Sequence, residues 1–304
     1  MKLYYCDRFE IPLPDGHKFP MQKYRLLRER LIADGFWTFE EASPAPLETI
    51  KLAHDPDYVD QFVNGTLPPS VMRRIGFPWS PGLVKRTLAS AGGTLAATRD
   101  AMNTGFGGTL AGGTHHAFRS EGSGFCVFND IAIAIHSLRP NRAAVIDLDV
   151  HQGDGTAHFF EHDPNVLTIS LHGANNFPFR KQQSKLDVEL PDKTGDEEYL
   201  KALDSVLPRV LDFAPDIVFY LSGVDALATD VLGRLSLTVE GLKERDRRVI
   251  GAVRNLPLVI TLGGGYSKPI ELTAEAHANT FRIAAQVMRQ RATAVFHPLN
   301  SDSL

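Results

Sequence analysis

Short apolar runs, each ending in glycine or a cluster of polar groups, alternate along this chain with helical patterns. No other feature constrains the fold as strongly. The runs are Lys2–Tyr5, Gly108–Ala111, Ala143–Leu148, Val166–Leu171, Asp216–Leu221 and Leu258–Leu262. Between them the pattern predicts helices over Pro81–Met102, Asn129–Leu138, Asp196–Phe213 and Val239–Arg254. The last has Thr238 as its N-cap and sets Val239, Leu242, Val249 and Val253 on one buried side. Strands that are apolar on both faces and separated by helices imply a parallel sheet covered on both sides, an α/β protein.

At 304 residues, 43% apolar and 22% charged, the composition suits one sizeable core, and no repeat or linker divides it, so residues 1–304 are expected to form a single domain. The formal net charge is −4, and the nearest approach to a basic run, Lys243–Arg248, is interleaved with acids and reads as a solvated helix face. Nothing here argues for nucleic acid, whereas a mildly acidic surface tolerates cationic substrates. Two cysteines, Cys6 and Cys126, cannot build a disulfide framework, which points to a reducing compartment. The charged N-terminus lacks the apolar core of a signal peptide, and no stretch approaches the roughly 18 apolar residues of a membrane span. The expected location is cytoplasmic. Oligomeric state has no signature in the sequence.

In parallel sheets ligands collect beyond the carboxyl ends of the strands. Four of the apolar runs end there in polar groups: Gly112-Gly113-Thr114-His115-His116, Asp147-Leu148-Asp149-Val150-His151, Ser222-Gly223-Val224-Asp225 and Gly263-Gly264-Gly265-Tyr266. Asp149 and His151 project to the same side of an extended segment, because side chains alternate with period two. With Asp225 they make an Asp-His-Asp set that leaves a coordination position open, as catalytic metal sites do. Taken alone, Asp149 and His151 read as ordinary loop residues. Their neighbours Asp147 and Asp154 change that reading, since so many carboxylates at a buried strand end need compensating cations or imidazoles. A metal and the adjacent His115 and His116 supply them, each spare Asp fixing one His tautomer.

Assembled in this order, the chain resembles the zinc-dependent histone deacetylase family, within it the class IV type and its bacterial relatives. The resemblance runs from His17 to Tyr266. It is carried by His115-His116, Ser123-Gly124-Phe125-Cys126 with Asn129-Asp130, the segment Asp147–Asp154, Ser170-Leu171-His172, Asp225 and Gly263–Tyr266. The segments Thr194–Tyr199 and Leu232–Ser236 point to class IV. The resemblance implies the arginase-deacetylase fold: one domain around a largely parallel eight-stranded sheet. It implies zinc on Asp149, His151 and Asp225, with Fe²⁺ able to compete at so oxygen-rich a set. His116 becomes general base and then acid, supported by Asp154, while His115 on Asp147 acts electrostatically. Tyr266 donates to the substrate carbonyl, and Gly124, Phe125 and Phe177 line a tunnel for an acyl-lysine stem. A potassium ion is implied on Asp147 and Ser170 and the carbonyls of Asp149, His151 and Leu171. The rim stretch Gly76-Phe77-Pro78-Trp79 lacks the aspartate that holds the substrate backbone in many members.

The activity so implied is hydrolysis of acyl-lysine in proteins or peptides, or of a small acyl amine such as an acetylated polyamine. Acyl length is open, because class IV relatives include enzymes that prefer long chains. Glycines at 263–265 suit a backbone that turns tightly beside substrate, or a plain strand-to-helix turn. Phe125 and Phe177 also suit core packing. A two-metal ureohydrolase such as arginase would need carboxylates where Gly153 and Leu227 stand. A catalytically silent reader of acylated partners would be free to lose one of these groups, and none is lost. His54, His136, His158, His162, His277 and His297 show no partner pattern, and His17 is expected near the rim or in support of a loop, without an assigned role.

Overall fold

The computed structural model describes residues 1–9 and 11–296, with side chains through residue 290, so His297 lies outside the described residues. The strands are β1 (Lys2–Tyr5), β2 (Thr38–Glu41), β3 (Phe106–Thr109), β4 (Ala143–Asp147), β5 (Val166–Gly173), β6 (Leu186–Leu190), β7 (Ile217–Leu221) and β8 (Leu258–Thr261). They form one sheet in the order β2-β1-β3-β8-β7-β4-β5-β6. Every pairing between neighbours is parallel, so the sheet is wholly rather than largely parallel. Every residue of the central strands β3, β8, β7 and β4 is buried, which is why they read as unbroken apolar runs. The second predicted run is displaced: β3 ends at Thr109, and Leu110 and Ala111 already belong to the loop that leads to the paired histidines.

The helices are α1 (Gln22–Ala33), α2 (Leu47–Ile50), α3 (Pro56–Asn64), α4 (Pro69–Ile75), α5 (Pro81–Thr104), α6 (Asp130–Leu138), α7 (Asp154–Phe160), α8 (Asp196–Phe213), α9 (Val239–Ala252) and α10 (Ile270–Phe296). Side-chain caps start three of the four helices the pattern predicts, and α8, which follows Gly195, begins without one. Ser80, Asn129 and Thr238 accept from the backbone N–H of Leu83, Ala132 and Gly241 at 3.0, 2.9 and 3.0 Å. The solvated reading of Lys243–Arg248 is corrected for two of its members. Arg245 and Asp246 face the core side of α9, where Arg245 Nη1 donates to the Gly223 carbonyl at 2.6 Å and pairs with Asp246 at 2.9 Å. Their helical neighbours Lys243, Glu244 and Arg247 keep the outer face, so the run wraps around the helix.

No helix among the described residues is long and apolar enough to cross a membrane. Cys6 and Cys126 are buried and unbridged.

Candidate metal centre and catalytic cleft

The four central strands all point their carboxyl ends at one depression, and the loops beyond them carry the polar residues. Asp130, at the first turn of α6, ties down the loop after β3. Its Oδ2 accepts from Gly113 N–H at 3.1 Å and Thr94 Oγ1 at 2.6 Å, and its Oδ1 accepts from Thr114 N–H at 2.8 Å. The backbone that delivers His115 and His116 is therefore held by a buried carboxylate before any chemistry is asked of it.

Asp149, His151 and Asp225 each offer an atom within 4.8 Å of the others, a set that could hold a metal ion. His151 Nδ1 stands 3.0 Å from Asp149 Oδ1 and 3.1 Å from Asp225 Oδ2. One imidazole N–H cannot serve two carboxylates fully, whereas three lone pairs converging on one point suit a cation. The outer oxygens are already engaged: Asp149 Oδ2 accepts from Gly264 N–H at 2.5 Å, and Asp225 Oδ1 from Val150 N–H at 2.9 Å. Burial and the Asp149 charge push the Asp225 carboxyl up to about 7. Burial also opposes ionisation of Asp149, but His115 and His151 hold its carboxyl well below the usual carboxylate range. Two buried carboxylates this close call for positive charge between them.

The two histidines beside the triad touch at a 47° tilt yet are electrostatically unlike. Their ring centroids lie 4.0 Å apart. His115 Nδ1 is 2.7 Å from Asp147 Oδ2, and His116 Nδ1 is 2.6 Å from Asp154 Oδ1. Burial would lower the His115 pKa, but Asp147 and Asp149 outweigh it and push it up to about 9. At His116 burial wins, aided by the charge on His115, and the pKa falls to about 4. One ring is cationic and the other neutral at pH 7. The donor to each Asp is Nδ1–H, which leaves Nε2 of His116 with a free lone pair.

Tyr266 leaves β8 through the glycine loop, and its backbone N–H donates to Asp230 Oδ2 at 2.6 Å. Asp230 Oδ1 also accepts from Leu232 N–H at 2.8 Å and Gly233 N–H at 2.9 Å. Facing it, the Phe177 ring lies edge-on to His116 at 4.9 Å, and the Phe125 ring is 6.2 Å from that of Tyr266. Phe125 takes a left-handed backbone, φ 68°, which a bulky residue adopts only under constraint. The preceding Gly124 has φ 54°, and a β-carbon there would sit 2.7 Å from His116 Cδ2. The segment is bent so that the Phe125 ring enters the cleft while the chain slides past His116. His17 donates through Nε2 to the Gly76 carbonyl at 2.9 Å, accepts from Phe19 N–H at Nδ1, and stacks on Phe77, so it supports the rim stretch.

Ser170 and Asp147 face each other in register across β5 and β4, with Leu171 next along β5. Every predicted site residue is thus brought to this one region. Three contributors had no readable sequence signal: Asp230, which anchors Tyr266, and two buried cations, Lys23 and Arg86, that line the same cavity. None of them belongs to a spacing pattern in the sequence.

A fully parallel eight-stranded sheet with helices on both sides and this site on its carboxyl edge is the arginase-deacetylase fold. Within it, the chain belongs to the histone deacetylase family: residues 17–283 match the Histone deacetylase domain. It is 43% identical over 293 residues to an uncharacterized protein of Picosynechococcus sp., covering 93% of this chain and 98% of that one. Similarity to Histone deacetylase 2 of Arabidopsis thaliana is 31% over 272 residues, covering 83% and 70%. A probable deacetylase of Archaeoglobus fulgidus is 32% identical over 206 residues, covering 61% and 57%. The chain is a deacetylase-type amide hydrolase by family.

Proposed function

We propose that this chain is a single-metal, zinc-dependent deacylase that cleaves acetyl or longer acyl groups from lysine side chains, acting as one cytoplasmic catalytic domain. The observation that carries the reading is the pairing of the Asp149-His151-Asp225 set with a neutral His116 whose Nδ1 is committed to Asp154. When bound by these three residues, zinc supplies Lewis acidity and lowers the pKa of a water toward about 7. His116 receives a proton at Nε2 and returns it to the departing amine, a role worth roughly 10²–10⁴ in rate. The cationic His115 favours negative charge developing nearby, and the Tyr266 hydroxyl donates to the carbonyl oxygen as it gains charge. Phe125 and Phe177, with Gly124 between Phe125 and His116, confine the stem of the acylated side chain.

A two-metal reaction finds no support. A β-carbon at Gly153 would meet Asp147 Oδ2 at 2.3 Å, and Leu227 is a buried apolar residue, so neither position offers a further ligand. The potassium ion implied by the family belongs to the same reading, held by Asp147, Ser170 and the carbonyls of Asp149, His151 and Leu171. Small acyl amines, acetylated polyamines among them, are the second reading, favoured by a rim stretch (Gly76–Trp79) with no carboxylate to hold a peptide backbone.

The test is kcat/KM on one lysine peptide bearing acetyl, octanoyl or myristoyl, with acetylspermidine alongside and chelator-treated controls. Chelator-sensitive hydrolysis is expected, and the best substrate names the class. A zinc-loaded protein that turns over none of them would leave a binding role instead.

A further inference from the structure

The cavity lined by Asp149 and His151, about 480 Å³, runs from an exposed rim at Arg74, Phe179 and Arg234 to a buried inner end. The inner walls are apolar, with Ile11, Leu83, Ala91 and Phe128, but two cations stand among them. Arg86 comes from α5 and is 6% exposed, and Lys23 comes from α1 and is 1% exposed.

Arg86 is under-partnered. Its Nη1 donates to the Cys6 carbonyl at 2.7 Å, and its guanidinium lies 4.2 Å from the centre of the Tyr24 ring. Among the described residues it has no ion pair with a carboxylate. The acid nearest to Cys6 in sequence, Asp7, is committed to Arg28 at 2.8 Å, and the fully buried Arg245 has its own Asp246. A guanidinium carries five N–H donors in a planar fork matched to a carboxylate, and burying it without a counter-charge is costly. Lys23 donates to the Gly263 carbonyl at 3.2 Å and sits 5.2 Å from the centres of both the Tyr266 ring and the Tyr24 ring over which Arg86 lies. Burial lowers the Lys23 pKa to about 8, which leaves it largely cationic at pH 7.

Direction follows from topology. The amine side of any acylated peptide must lead out through the exposed rim, so the acyl side points inward. We infer that the inner end receives the far end of the acyl group and that this group carries a terminal carboxylate, as in succinyl- or glutaryl-lysine. The inference rests on the deacylase reading above and adds the acyl class to it. Hydrolysis then joins the water oxygen to the acyl carbon, breaks the C–N bond, passes both water protons to the amine, which leaves as ammonium, and releases a dicarboxylate.

The test compares kcat/KM of the zinc-loaded protein for matched acyl-lysine peptides: succinyl against butyryl, and glutaryl against pentanoyl. A preference of about tenfold or more for the charged member of at least one pair is expected. Arg86→Met should cut that ratio about tenfold, with Arg86→Lys intermediate. A ratio at or below one in the unmodified protein overturns the inference whether or not the variants fold, and so does a ratio that Arg86→Met leaves alone. Hydrolysis of neutral acyl groups only would sink this inference and keep the deacylase, whereas no hydrolysis of any acyl-lysine would sink both. Thermal melting of the chelator-treated protein gives an independent readout. Glutarate should raise Tm more than pentanoate, and Arg86→Met should remove the difference. Equal shifts with acetate, pentanoate and glutarate would mean that the cations hold the released carboxylate rather than a second one, which overturns the assignment.

Discussion

A β-carbon on Gly264 would lie 1.8 Å from Asp225 Oδ2, so the glycine loop and the third carboxylate of the triad are built against each other. Gly264 is also the donor of the 2.5 Å bond to Asp149 Oδ2, which makes it the backbone link between two residues of the triad. Gly264→Ala is expected to displace Asp225 and to lower zinc affinity and activity together by about 10–100-fold, as losses around a ligand shell do. Asp225→Ala should abolish both. Zinc titration of the chelated protein measures the first quantity, and wild-type affinity in Gly264→Ala would show that the loop yields without disturbing the carboxylate.

Tyr266→Phe separates binding from chemistry. The hydroxyl takes no part in the triad, so the variant should retain zinc while kcat falls about 10²–10³-fold, the usual effect of losing one oxyanion donor. Asp230→Asn probes the same tyrosine through its backbone. Oδ1 can keep its bonds to Leu232 and Gly233, but an amide NH₂ then faces the Tyr266 N–H, where only an acceptor fits. We expect kcat to drop about tenfold with zinc affinity unchanged. A kcat equal to that of the unmodified protein would remove Asp230 from any positioning role.

Much of this arrangement was legible in the sequence because the features concerned are periodic or adjacent. Buried strands such as Ala143–Asp147 and Ile217–Leu221 are apolar at every position, and the polar groups that follow them cannot be placed elsewhere in a parallel sheet. The edge strands escaped because their surroundings do not demand apolar residues. Thr38–Glu41 is mostly exposed, and Leu186–Leu190 mixes Asp and Glu with its apolar positions. Arg245 escaped for the opposite reason: a buried cation inside a charged helical run looks like its solvated neighbours until Gly223 and Asp246 are seen beneath it. Lys23 and Arg86 are brought to the cleft from α1 and α5 by tertiary packing alone, and no local pattern announces that.

The unequal histidines give a further prediction. Asp154→Asn removes the carboxylate that accepts His116 Nδ1–H and lets the ring present its other tautomer, with the proton on Nε2 where a lone pair is needed. Activity is expected to fall about 10²-fold while zinc affinity holds, because Asp154 is not part of the triad. The same loss in Asp154→Ala would point to the tautomer, and no loss in either would place the general base elsewhere.

His54 links the stability of the fold to pH. The ring is buried, its Nδ1 donating to the Arg119 carbonyl at 3.2 Å and its Nε2 accepting from Asn129 N–H at 2.8 Å, so both nitrogens are committed to the neutral form. Burial lowers its pKa to about 4, against about 6.5 for an unfolded chain. Below pH 6.5 the unfolded state therefore takes up a proton that the folded state refuses, and stability falls with pH until about pH 4. Between pH 7 and pH 4.5 this single group contributes a loss on the order of 2 kcal/mol. Asn129 caps α6, whose first residue Asp130 holds the loop to His115, so the effect reaches the cleft as well as the fold. His54→Gln offers an amide oxygen and an amide N–H without a titrating proton. Urea denaturation should show a variant weaker than the unmodified protein at pH 7 that loses less stability, by on the order of 2 kcal/mol, on going to pH 4.5. Parallel stability curves would mean that His54 is not the group that refuses the proton.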